Sequence, residues 1–168
     1  DSTLRSVLSV RGVGTAVEVA GEIIQAATDD AKALTAERDA TERASLLRTV
    51  GIAEGQAVPP AVRAQISALE DDQKKRATRS LRDGIDRVLT DLQSMFRDVM
   101  MLQYGRGDDL INSELRTELT ALASAWPVDR TLVVLDHLAE TRESLERNVA
   151  PTLALESLLV TIASGRKP

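Results

Sequence analysis

Apolar residues recur at steps of three and four along most of this chain, and nowhere do they alternate as in a strand, so the pattern predicts helices. Residues 1–14 carry no clear period and read as the remnant of a preceding region or as a short helix and turn. From Thr15, which with Glu18 fits a capping box, Ala16, Ala20, Ile23, Ala27, Ala31 and Leu34 share one helical face. Helical composition then continues to Val50, Thr28-Asp29-Asp30 offers a point where a break can fall, and Gly51 is suited to end the helix. Residues 51–60, with Pro59 and Pro60, form the clearest loop.

The longest periodic segment follows. Val62, Ile66, Leu69, Gln73, Ala77, Leu81, Ile85, Val88, Leu92, Phe96, Val99 and Gln103 predict one helix over residues 62–104, stopped at Gly105. At 1.5 Å per residue it would be roughly 60 Å long, so its first half should project or pack on the preceding helix. Asn112 and Ser113 offer an N-cap for a helix carrying Leu115, Leu119, Leu122 and Trp126, which Pro127 ends. Asp129 can cap the next, with Leu132, Leu135, Leu138 or Ala139, Arg142 and Leu145 as its inner stripe.

The last helix should open at Pro151, because proline at the first helical position forfeits no hydrogen bond. Its neighbour Asn148 suits the turn before it. In this helix Leu155, Leu158, Leu159 and Ile162 belong to an apolar surface that leaves only a narrow polar strip around Ser157, Thr161 and Ser164. A helix so apolar is buried on nearly all sides, either at the centre of the bundle or by another subunit. The four residues are therefore candidate interface positions as well as candidate core. The expected fold is all-α, a bundle of about five helices with one long helix, occupying residues 15–168 as a single domain.

Composition supports this picture. The apolar share is 43% with only 2% aromatic residues, and it is supplied by Leu, Ala and Val among good helix formers. The chain has no cysteine, no apolar run long enough for a membrane span and no basic-then-apolar leader, which points to a cytoplasmic protein. It begins at Asp1, which reads as a fragment of a longer protein. A formal net charge of −5 argues against a broad nucleic-acid footprint.

Catalytic chemistry fails on inventory. His137 is the only histidine, reads as a surface or boundary residue, and has no Gly-x-Ser-x-Gly elbow to serve. The acidic pairs are adjacent in sequence and so diverge on a helix, which argues against a metal site. Gly12 with Gly14 and Gly105 with Gly107 lack a phosphate-loop context and read as turns. No catalytic residue, cofactor or metal is expected. Phe96 and Trp126 lie on apolar stripes and read as core. The one local basic cluster puts Lys75, Arg79 and Arg82 on one helical face. With Glu70, Asp71 and Asp72 close by it reads first as a solvated, salt-bridged face, then as a contact between subunits, and last as a DNA-binding face.

Phe96-Arg97-Asp98 before an apolar run, Leu110-Ile111-Asn112 after the glycine turn, and Leu145, Asn148, Pro151 and Leu153 through Glu156 follow in a specific order. Together they resemble the C-terminal collar domain of the delta-prime component of the clamp loader in bacterial DNA polymerase III. The resemblance covers about residues 62–163, and the segment from Leu69 to Arg79 looks like the actinobacterial version. It implies a noncatalytic role in DNA replication, in which collar domains join side by side in a ring that holds the clamp loader together. Gamma or tau and delta subunits would be the partners, with DNA contacted at most indirectly.

Overall fold

The computed structural model describes residues 2–52 and 58–165. Among these are six α-helices and no strand: α1 (Ser2–Ser9), α2 (Val13–Thr49), α3 (Pro60–Gln103), α4 (Arg116–Ala125), α5 (Val128–Glu146) and α6 (Pro151–Ser164). Short 3-10 turns, Gly107–Asp109 and Ser113–Leu115, lie between α3 and α4. The all-α expectation holds, and the sixth helix is α1, whose Leu4 and Val7 are buried together with Val10 beyond its end.

The chain divides into two compact units, Asp1–Gln25 with Ile85–Pro168, and Ala26–Gly84. In the first, Phe96, Ile85, Leu89, Leu92 and Met95 of α3 are fully buried with Leu138 of α5 and Leu155, Leu158 and Leu159 of α6. Burial of such side chains, each stabilising by about 1.5–3 kcal/mol, gives this unit a closed core.

The second unit is an antiparallel helix pair. Arg43 meets Glu70 at 2.6 Å while Arg76 meets Asp39 at 3.1 Å and Glu42 at 2.9 Å, so one sequence number rises as the other falls. Gln73 donates from Nε2 to the Asp39 carbonyl, placing a polar member of the α3 stripe against α2. This is the packing expected for the first half of the long helix. Hydrogen bonds from Arg76, then from Arg38, hold the Glu42 carboxyl at about 2.

Helix ends follow their residue chemistry with some corrections. Gly51 (φ 70°), Gly105 (φ 73°) and Asn148 (φ 65°) each adopt the left-handed conformation at the C-terminus of α2, α3 and α5. At each the paired bonds of a Schellman closure are present, as in Gly105 N–H to Leu102 O and Arg106 N–H to Met101 O. No break interrupts α2 at Thr28. That helix starts at Val13 rather than Thr15, because Thr15 Oγ1 reaches back to accept from the N–H groups of Arg11 (3.1 Å) and Gly12 (3.2 Å). Thr15 thus plays the reciprocal part of a capping box.

Asn112 and Asp129 make no side-chain caps. The backbone at Asn112 leads first into the 3-10 turn, and Asp129 already lies inside α5, which begins at Val128. Leu34 (69%) and Leu132 (43%) are exposed, and their stripes pass instead through Thr35 and through Thr131, Val134, Leu138, Thr141 and Leu145. Methyl groups of threonine fill core positions that an apolar count overlooks.

Candidate functional site

The junction between α5 and α6 is built by two residues with different tasks. Asn148 occupies the left-handed position closing α5, where its N–H donates to Leu145 O and that of Val149 donates to Ser144 O. Asparagine tolerates this conformation better than other residues bearing a Cβ. Pro151 begins α6, and the first α6 bond runs from Ala154 N–H to Ala150 O. The left-handed backbone that Asn148 adopts is thus part of what closes the junction.

The four candidate interface residues lie inside this chain. Leu155, Leu158 and Leu159 are 0% exposed and Ile162 is 3% exposed, so none presents a side chain to a partner. The reason is the direction of the polar strip. Thr161 is fully buried, its Oγ1 2.6 Å from His137 Nδ1, while Ser157 Oγ lies 3.3 Å from His137 Nε2. His137 is buried, not a surface residue, because α6 supplies hydroxyls for both ring nitrogens. Ser157 and Thr161 of the polar strip therefore face inward against α5, while Ser164 at its end is exposed. The outward edge of α6 carries Leu153 (62% exposed) with half-buried Glu156 and Val160, and Val149 (42%) stands beside it in the junction. Val149 and Leu153 line a shallow recess with His137, Thr141 and Ser157.

The motif elements around residues 96–98 and 110–112 converge. Asp98 is 0% exposed, and its Oδ2 accepts from Asn112 N (2.7 Å) and Asn112 Nδ2 (2.9 Å) while Oδ1 accepts from Arg97 Nη1 (2.8 Å). Arg97 also donates to the Asp109 carbonyl, and Asn112 Nδ2 to Ser94 Oγ. Burial pushes the Asp98 carboxyl upward, but bonds from Asn112, the Ile111 backbone and Arg97 outweigh it and leave it below its ordinary value. These residues form an ionised latch that ties the 3-10 segment to α3. Next to it, Phe96 stacks on Trp126 at 5.8 Å between centroids, with the Arg130 guanidinium 3.8 Å from the Trp126 ring. Phe96 is core, as its stripe predicts, and Trp126 is half-buried. The convergence was out of reach of sequence reasoning, although a carboxylate on the wide apolar face of α3 was a usable signal.

Lys75, Arg79 and Arg82 are exposed on α3 within the second unit, with Lys75 Nζ 3.5 Å from Asp72. Arg76, in the same run, turns instead toward Asp39 and Glu42. Among the described residues no group of three or more His, Asp or Glu side chains could hold a metal ion. None of the described helices is long and apolar enough to cross a membrane.

No curated protein and no solved structure matches the chain. The family model described as DNA polymerase III, delta subunit, C terminal matches residues 64–164, a span that takes in the Asp98 latch, the α5–α6 junction and all of α6. With more than half of its length so matched, the chain belongs to the family of C-terminal domains of the DNA polymerase III delta subunit and is a clamp-loader subunit domain.

Proposed function

We propose that the chain acts as the noncatalytic collar domain of a delta-prime-type subunit, joining gamma or tau and delta subunits in the cytoplasmic clamp loader so that the sliding clamp can be loaded on DNA. The observation that carries this reading is the family match over residues 64–164, which ends where α6 ends. The closed core of the first unit agrees with a structural role. Because Leu155, Leu158, Leu159 and Ile162 are consumed by that core, the contact falls to the outward edge of α6, Leu153 and Val160, with Val149 beside it. Apolar side chains presented together mark contact surfaces. The test is a pull-down of the chain with gamma or tau and delta subunits, with Leu153→Asp and Val160→Asp as variants. Both should keep the helical circular dichroism spectrum and lose the partners, since an unpaired charge would be desolvated in the contact. Retention of every partner by both variants would exclude this face.

The alternative of a DNA-binding module through Lys75, Arg79 and Arg82 has less behind it. Lys75 is paired with Asp72, and no aromatic residue stands between positions 26 and 84 to stack a base.

A further inference from the structure

In the first unit a groove of about 530 Å³ lies among α1, the turn after it, α4 and the ends of α5 and α6. Its floor is apolar, with Leu8, Ala121, Leu122 and Trp126, and its cations are Arg11 and Arg130. Among the described lining residues the carboxylate is Glu118, and it is held by Arg5 at 2.8 Å.

Neither groove arginine has a carboxylate partner among the described residues. Arg11 spends Nη1 on the carbonyls of Leu8 (2.6 Å) and Val10 (3.0 Å). Arg130 spends Nη2 on the carbonyls of Ile162 (2.8 Å) and Ala163 (2.9 Å), and its Nε is buried without a hydrogen-bond partner. Its position is fixed on both sides, by the Trp126 ring at 3.8 Å and by Gly165, where an added Cβ would come within 2.9 Å of Arg130 Cδ. Burial, and then the charge of Arg11, press the Arg130 guanidinium below its ordinary value. Two cations in one groove with no carboxylate paired to them among the described residues present the complement of an anion, at little ordering cost for the well-fixed one.

An isolated inorganic anion would answer the charges and leave the apolar floor wet, whereas a groove of this size holds several side chains. We propose that this groove docks a peptide segment of a partner protein, in which an acidic side chain pairs with Arg11 and Arg130 and the apolar residues next to it cover Leu8, Leu122 and Trp126. This site is separate from Leu153 and Val149 and does not rest on the collar reading.

The test is a titration of the isotope-labelled full chain, followed by amide and indole NMR signals. The probe is a pool of capped tetrapeptides that begin with aspartate and continue with leucine, isoleucine, phenylalanine or tryptophan, set against the same pool beginning with asparagine and against inorganic phosphate. The aspartate pool should shift Leu122, Ala125 and Trp126 saturably, and the asparagine pool should bind about tenfold more weakly, the loss of a charge-assisted hydrogen bond. Arg11→Gln, at an exposed position, should weaken binding by a similar factor while its amide spectrum remains that of the folded chain, and Arg11→Lys should recover part of the binding. Equal binding of the two pools, shifts confined to other surfaces, no saturable shift, or phosphate binding as tightly as the aspartate pool would each overturn the proposal.

Discussion

Replacing Asp98 by alanine should be among the most damaging single changes in this chain. The carboxylate is 0% exposed and takes both donors of Asn112 on one oxygen, at 2.7 and 2.9 Å. Truncation leaves two buried donors without an acceptor, each costing about 1–3 kcal/mol. The ion pair with Arg97 adds less, because the Arg97 side chain is 41% exposed and screened. The expected loss is about 3 kcal/mol, within the range for breaking a buried charge pair. With a urea slope of roughly 1–3 kcal/mol per molar, the midpoint should fall by about 1–3 M. Asp98→Asn should cost about 2 kcal/mol, since either amide orientation sets an NH₂ against a donor of Asn112 or Arg97. Asn112→Ala keeps its backbone N–H and should cost about 1–2 kcal/mol. The pH dependence has a definite sign. The folded carboxyl lies below its ordinary value, so its stabilisation is complete above the unfolded pKa of about 3.9 and is lost as pH falls toward the lower folded value. Asp98→Ala should lack that acid limb. A loss under about 1 kcal/mol for Asp98→Ala, or an unchanged acid limb, would refute the latch.

Asn148→Ala should destabilise by about 1 kcal/mol and Asn148→Gly by less, because the left-handed backbone at this position strains alanine and not glycine; thermal melts showing the opposite order would contradict this. Arg76→Ala should release the Glu42 carboxyl from about 2 toward the ordinary value of ~4.3, read from carboxyl chemical shifts against pH. Leu158→Asp should unfold the first unit, as it places an unpaired charge at a fully buried position, and a native circular dichroism spectrum would argue against its place in the core.

The helices were legible in the sequence where apolar period and end chemistry agreed. Residues 62–104 were expected for α3 and Pro60–Gln103 is observed, because its stripe is long and glycine closes it. Pro151 marked the start of α6 for the same kind of local reason. What stayed hidden was set by tertiary pairing. Thr131, His137 and Thr141 lie on the buried face of α5, yet polar side chains do not register in an apolar count, and the place of His137 follows only from its pairing with Thr161 and Ser157. That same pairing turned Ser157 and Thr161 inward and left Leu153 on the exposed edge of α6. Arg97, Asp98 and Asn112 stood out only as a pattern, since nothing local shows that a turn separated by 14 positions closes onto the carboxylate. The basic run was similarly ambiguous, because Arg76 turns inward while Lys75 stays exposed.

Native mass spectrometry of the chain mixed with gamma or tau and delta subunits tests the central claim most directly. The account predicts a discrete assembly containing this chain, unchanged in composition by added ATP and lost with Leu153→Asp while that variant remains folded. Persistence of the folded wild-type chain as a free species beside an assembled complex of the other subunits would contradict it.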